Sequence, residues 1–144
     1  MKFLIREACE SDAYAICELN RAEMGYEYPL EATVQKLNML LNSGSDKIFV
    51  AVSEDKIVGY VHVNDYDVLY APHMKNIMGI AVSSEYKRQG IGSALLKSAE
   101  EWALSAGAAA MRLVSGSTRA DAHMFYRAQG YVGDKQQINF KKAL

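Results

Sequence analysis

The segment "NIMGIAVSSEYKRQGIGSALLKSAEEWALSAG", from Asn76 to Gly107, narrows the folds open to this chain more than any other. Its first part, "NIMGIAVS", is rich in β-branched residues and almost wholly apolar, which suits a central strand buried on both faces. A short polar connection follows, and the pattern then changes period. Ile91, Leu95, Ala99, Trp102 and Ala106 trace one stripe of a helix from about Gly90 to Ser105, which Gly107 stops. The next run, "AAMRLVSG", reads as another strand. Strand, helix and strand in that order make a crossover unit.

The rest of the chain supplies less regular material. "KFLIREA" is an opening strand, and Ser11 or Asp12 can cap a helix from about Tyr14 to Met24, ended by Gly25. After Pro29 the spacing of Val34, Leu37, Leu40 and Leu41 predicts a second helix over Leu30 to Asn42. "KIFVAVSE" and "KIVGYVHVND", split by the turn at Glu54 and Asp55, form a hairpin. "RADAHMFYRAQ" is a helix stopped by Gly130, and "KQQINFKKAL" a closing strand. The expected fold is mixed α/β in one domain over residues 1–144: strand, two helices, three strands, helix, strand, helix, strand. It is not a regular βαβ alternation, which argues against a doubly wound dinucleotide fold.

Composition removes several function classes. The chain has 144 residues, half of them apolar, enough for one sizeable core. A net charge of −1 offers no field for nucleic acid or an anionic membrane surface. No apolar run approaches the roughly 20 residues that span a bilayer, and the N-terminus lacks the apolar block of a signal peptide. Cys9 and Cys17 form no disulfide framework or metal cluster and read as reduced thiols of a cytoplasmic protein. No metal is expected.

The glycines of "KRQGIGS" raise the chemical question. A helix start carries N–H groups with no acceptor inside the helix and about half a positive charge. Small residues there let the main-chain N–H groups of Gly90, Ile91, Gly92 and Ser93 converge on phosphate oxygens, with Lys87 and Arg88 at the rim. The spacing is neither a nucleotide P-loop nor G-x-G-x-x-G, because Leu95 holds the third glycine's place. A plain hinge between strand and helix accounts for the same glycines.

The strand, the "SSEYKRQ" connection, "GIG" and the long helix together resemble the acyl-coenzyme A site of the GCN5-related N-acetyltransferase family. That signature is Arg or Gln, two residues, Gly, one residue, Gly or Ala. Lys87 stands at the first place, a departure, with Gly90 and Gly92 at the others. "AHMFYRAQGY" is similar to the family's A-x-x-F-Y-x-x-x-G-[FY] helix, and the element order is similar over essentially the whole chain. The resemblance implies acetyl-coenzyme A as co-substrate, its diphosphate on Lys87, Arg88, Gln89, Gly90, Ile91, Gly92 and Ser93. It further implies that the pantothenate arm pairs with Ile80 and Val82 where the strand splays from "AAMRLVSG". A freed N–H near Ala81 then serves the oxyanion, and Tyr126 protonates the departing thiolate. Gly79, odd in a central strand, marks a bulge or a packing choice.

On the last helix Arg119, His123 and Tyr126 share one stripe, with Thr118 as cap and Asp121 in the first turn. Arg119, where many relatives carry Asn, contacts the pantetheine or an acidic substrate group, or else makes a solvated salt bridge. His123 contacts acceptor or coenzyme, or is a polar surface residue. The expected partner is a small-molecule amine, and a homodimer is admitted. Many relatives place a carboxylate base where Gly79 stands here. Asp65, Tyr66, Asp67 and His73 are the substitutes from the next irregular segment, with His62 disfavoured because alternation buries it. Glu23, Tyr26, Glu27, Tyr28 and Glu31 in the turn after the first helix suit a cationic amine, or are simply solvated. "ICELNRAE", "AHMFY" and "FKKAL" also resemble acetyltransferases of the aminoalkylphosphonate type, although a phosphonate calls for more cations than these segments carry. An acyl-coenzyme A sensor that does not turn over is the alternative function.

Overall fold

The alternating apolar runs form one mixed five-stranded sheet in the computed structural model, which describes residues 2–144. The strands β1 (Leu4–Glu7), β2 (Asp46–Ser53), β3 (Lys56–Tyr66), β4 (Met74–Val82) and β5 (Ala110–Leu113) lie side by side in chain order. Neighbours from β1 to β4 are antiparallel, while β4 and β5 are parallel. A parallel pair needs a crossover, and α3 (Ile91–Ser105) provides it. The β2–β3 hairpin turns on Glu54 and Asp55, both at positive φ (51° and 63°), as a two-residue type I′ turn requires.

Two cores cover the two faces. On one, Ile16 and Leu19 of α1 (Ala13–Met24) and Leu37 of α2 (Leu30–Leu41) pack on Ile48, Val50, Tyr60 and Ala81. On the other, α3 buries Ile91, Leu95, Leu96 and Ala99 almost completely. Each of the Ile and Leu side chains contributes about 1.5–3 kcal/mol relative to exposure. Gly59 permits the close approach of α3, since a Cβ there would stand 3.2 Å from Leu95 Cδ1 and 3.0 Å from the Ala81 carbonyl.

Asp12 precedes α1 but does not cap it. Its carboxylate turns back to accept Arg6 Nη1 and Nη2 at 2.8 and 3.0 Å and the Cys9 N–H at 2.9 Å. Gly25, at φ 72°, ends the helix as expected.

The packing separates the chain into two compact units, one running to Leu113 and the other Val114–Leu144. The second contains α4 (Ala120–Ala128), which starts one residue later than Thr118 capping would give, with Arg119 at the N-cap. Its end explains the spacing of "YRAQGY". Gly130 at φ 94° lets its own N–H reach the Arg127 carbonyl and the Tyr131 N–H reach the Tyr126 carbonyl, both at 3.0 Å. That is a Schellman closure, with the Tyr126 and Tyr131 rings 6.2 Å apart as its apolar contact. The expected closing strand at 135–144 is not formed. Ile138 and Phe140 are 78% and 86% exposed, and no described strand pairs with that segment.

Candidate active site

The loop from β4 to α3 has the form an anion cradle needs. After a 3-10 turn at Ser84–Tyr86, Arg88 adopts φ 66° and Gly90 φ 81°, and the helix ladder opens with the Ala94 N–H on the Gly90 carbonyl at 3.0 Å. No side chain caps the N-terminus at Gly90. A Cβ on Gly90 would meet nothing within 4 Å, so the residue at the N-cap borders open space, and the first-turn N–H groups after it have no acceptor inside the helix. Ser93 is half-buried on the same turn, and the Gln89 side-chain oxygen is turned inward and buried. Lys87 and Arg88 are exposed, with Lys87 Nζ 3.8 Å from Glu23 Oε1. Glu23 Oε2 accepts the Ser84 N–H at 2.9 Å, so this carboxylate braces the loop rather than facing solvent.

The cradle continues along β4. β5 pairs with β4 only from Met74 to Ile77, whereas β4 runs on to Val82. The Ser83 N–H donates to the Val58 carbonyl at 2.8 Å, which fixes the alternation: Ala81 and Gly79 turn their main chain to β3, and Ile80 and Val82 turn theirs the other way, beyond the end of β5. An extended ligand with amide groups can add to that edge. The same alternation corrects the expectation for Ala81, whose N–H points into the β3 ladder and is not free for an oxyanion. A bulge does occur at Met78–Gly79, opposite the step from His62 to Val63. A Cβ on Gly79 would stand 3.5 Å from the Tyr60 hydroxyl, which hydrogen-bonds Asn20 Oδ1. Burial, offset in part by Asn20, pushes the Tyr60 phenol up to about 12.

Beyond the bulge the α1/α2 face of the sheet becomes polar. His62, Asn64 and Tyr66 follow Tyr60 on β3, with Asp46 on β2, Asn76 on β4 and Arg112 on β5 in register beside them. His62 Nε2 lies 2.7 Å from Asp46 Oδ1. His62 is half-buried, as alternation implies, and lies on the Gly79 face directly across from that glycine. Arg112, which belongs to no motif, donates Nη1 to Asn76 Oδ1 at 2.7 Å and lies 4.1 Å from the Tyr66 ring centroid. Its only sequence signal is a charge inside an apolar strand.

Other candidates fall elsewhere. Asp65 pairs with Lys75, which is buried and lies 4.2 Å from the Trp102 centroid on the α3 face. His73 Nδ1 is 2.8 Å from Asp67. This cluster sits at the start of β4, about 13 Å along the strand from Gly79 and on the opposite face, so Asp65, Asp67 and His73 are not brought together with Gly79. Tyr66 lies on the Gly79 face but is covered by Arg112. Tyr26 and Tyr28 are exposed on the α1–α2 turn.

Within the second unit Tyr126 is buried, and burial raises its pKa above the ordinary 10 while the charge of Arg119 pulls it down. His123 Nε2 is engaged at 2.9 Å by the Gly116 carbonyl. The side chain of Arg119 packs against Gly116.

Among the described residues no group of His, Cys, Asp and Glu can hold a metal ion, and no helix is long and apolar enough to cross a membrane. The acetyltransferase (GNAT) family matches residues 13–131. The aminoalkylphosphonate N-acetyltransferase of Salmonella typhimurium is 31% identical over 130 residues, 90% of this chain and 80% of that protein. Two solved structures share the fold. An aminoglycoside N-acetyltransferase in complex with coenzyme A superposes with TM-score 0.89 at 15% identity, covering 99% of this chain and 96% of that one. A transcriptional regulator from Bacillus halodurans gives 0.88 at 23%, covering 98% and 100%. The bare helix start of α3, the open edge of β4 and these matches lead to one assignment: the chain belongs to the acetyltransferase (GNAT) family and is an N-acetyltransferase that takes its acetyl group from acetyl-coenzyme A.

Proposed function

We propose that the enzyme acetylates the primary amine of a small aminoalkyl acid by direct attack within a ternary complex. The observation that carries this is the continuous main-chain track from the Gly90 helix start, along the free edge at Ile80 and Val82, to the bulge at Gly79. A diphosphate with a two-amide arm matches that track: Gly90, Ile91 and Gly92 hold the phosphates, with Gln89 and Ser93 flanking them and Lys87 and Arg88 adding charge. Ile80 and Val82 hold the arm, which brings the thioester to the bulge. The acceptor class follows the aminoalkylphosphonate enzyme named above.

The proton inventory then assigns side chains. The acceptor arrives as an ammonium and must lose a proton before its nitrogen can bond to the thioester carbon. His62, oriented by Asp46, takes that proton directly or through water. As the carbon–sulfur bond breaks the sulfur takes up a proton, a role that the family resemblance of "AHMFYRAQGY" gives to the Tyr126 phenol, and solvent restores what the phenol loses. Arg119 tunes the phenol. Acetyl-coenzyme A and two free cysteines both belong to a reducing cytoplasm, where we place the enzyme.

The test is free-thiol release from acetyl-coenzyme A with aminoalkylphosphonates, amino acids, polyamines and aminoglycosides. The expected outcome is rapid release with the short aminoalkyl acids. Fastest turnover with an aminoglycoside or polyamine would overturn the acceptor class.

A further inference from the structure

The cation missing from the acceptor segments of the sequence is on β5. We infer that Arg112, held between Asn76 and Tyr66 on the Gly79 face of the sheet, binds the oxyanion of the acceptor and so selects amines carrying a phosphonate or carboxylate.

Three features support a ligand-binding guanidinium over a structural one. First, its anchors are neutral. Asn76 Oδ1 accepts one Nη1 hydrogen bond and the Tyr66 ring covers a face, and among the described residues no carboxylate pairs with Arg112. A half-buried cation without a counter-ion carries a desolvation cost that an incoming anion relieves. Second, a guanidinium has five N–H donors in a planar fork. Stacking occupies its face and Asn76 takes one donor, which leaves edge donors for two oxygens of one oxyanion. Third, the anchor is oriented for this purpose. Asn76 is 92% buried, yet its Nδ2 makes only a 3.4 Å bond to Asn64 Oδ1 and a 3.0 Å contact to Met78 Sδ. Those partners are weak, so the acceptor oxygen facing Arg112 is what fixes the amide.

Position favours the acceptor over the coenzyme. Asn76 lies on the far side of the bulge from Ile80 and Val82, about 10 Å or less along β4 from Gly79. The hydrogen bond at the fork takes up part of that span. A short aminoalkyl chain covers the rest, with the amine at the bulge and the oxyanion on the fork.

The inference rests on the acetyl-transfer function proposed above, and two measurements keep the two apart. Calorimetry with a short aminoalkylphosphonate, an aminoalkylcarboxylate and the matched neutral amine reads binding without turnover. The parent should bind both acids at least tenfold more tightly than the neutral amine. Arg112→Gln should abolish that ratio, and Arg112→Lys, which keeps the charge but not the fork, should retain part of it. The corresponding kcat/KM ratios should move in parallel, chiefly through KM. Acids bound no better than the neutral amine, or a ratio unchanged in both variants, would overturn the inference while leaving acetyl transfer intact. A loss of thiol release in the parent with the binding ratio preserved would overturn the transfer function and leave the anion site standing.

Discussion

The Glu23 carboxylate at the end of α1 accepts the Ser84 N–H at 2.9 Å, across 61 positions of sequence, and lies 3.8 Å from Lys87 Nζ. The helix that packs on the sheet thus also braces the loop that precedes the cradle. Glu23→Ala removes the acceptor and should weaken coenzyme A binding about fivefold, the equivalent of about 1 kcal/mol for one hydrogen bond. Glu23→Gln keeps an acceptor for Ser84 and loses only the ion pair, so its affinity should stay within about twofold of the parent. Equal losses in both variants, measured by calorimetry, would assign the effect to charge instead of bracing.

Gly90 and Gly107 both sit in the left-handed region, at φ 81° and 78°, and a Cβ on either would meet nothing within 4 Å. Alanine at either position should therefore cost a similar 1–2 kcal/mol or so of stability, from backbone strain alone. Only Gly90→Ala disturbs the cradle. The expected result is two similar falls in melting temperature and a coenzyme A affinity reduced at least tenfold in Gly90→Ala alone. Matched affinities would remove Gly90 from the binding site.

The strand, loop and helix of the proposed cradle were legible because a buried strand, two glycines and an amphipathic helix are all local signals, readable from Asn76 to Gly107 without a neighbour. The helix of Tyr126 was legible for the same reason, and its glycine matches a Schellman closure. Ala81 was misassigned because which way a strand residue turns its N–H depends on the partner's register, fixed here by Ser83 on Val58. The surroundings of His62 were hidden on similar grounds. Alternation gives a face but not what covers that face, and past Tyr60 the lining changes from apolar to Asp46, Asn64, Asn76 and Arg112. Asp65, Asp67 and His73 drew attention by proximity in sequence, although they pair with Lys75 and one another on the far face.

His62→Gln and Asp46→Asn both break the pair across from Gly79, and each should lower kcat by about 10²–10³ with little change in the KM for the acceptor. A double variant should fall no further than the worse single one, because the two groups act as one unit. Additive losses in steady-state kinetics would separate the roles.

Tyr126→Phe should slow turnover by about 10²–10⁴ while coenzyme A binding stays within twofold. Burial lifts the phenol above its ordinary pKa of 10, so it stays protonated through neutral pH and donates without loss. On the alkaline side, activity should fall only as pH rises through that raised value. Arg119 lowers the phenol's pKa, and Arg119→Met should shift the alkaline limb to still higher pH. A limb that moves down, or stays in place in Tyr126→Phe, would disconnect the phenol from the proton.

The Arg6–Asp12 pair contributes to the acid sensitivity of the fold. Burial alone would raise the Asp12 pKa, but the hydrogen bonds from Arg6 and the Cys9 N–H, together with the guanidinium charge, outweigh it and hold the carboxyl below its usual 3.8. A depressed native pKa means that the unfolded chain binds the proton more readily. The contribution is therefore complete above the unfolded value and disappears as pH falls through the native one. Asp12 is 4% exposed and Arg6 39%, so solvent screens one side of the pair. Asp12→Asn should cost about 1–2 kcal/mol at neutral pH. Its urea midpoint should then decline less steeply than the parent's from pH 5 to pH 2, and the two curves should converge at the acid end. Parallel curves over that range would show that the carboxyl titrates alike in the folded and unfolded chain, and the bidentate pair would then carry none of the acid sensitivity.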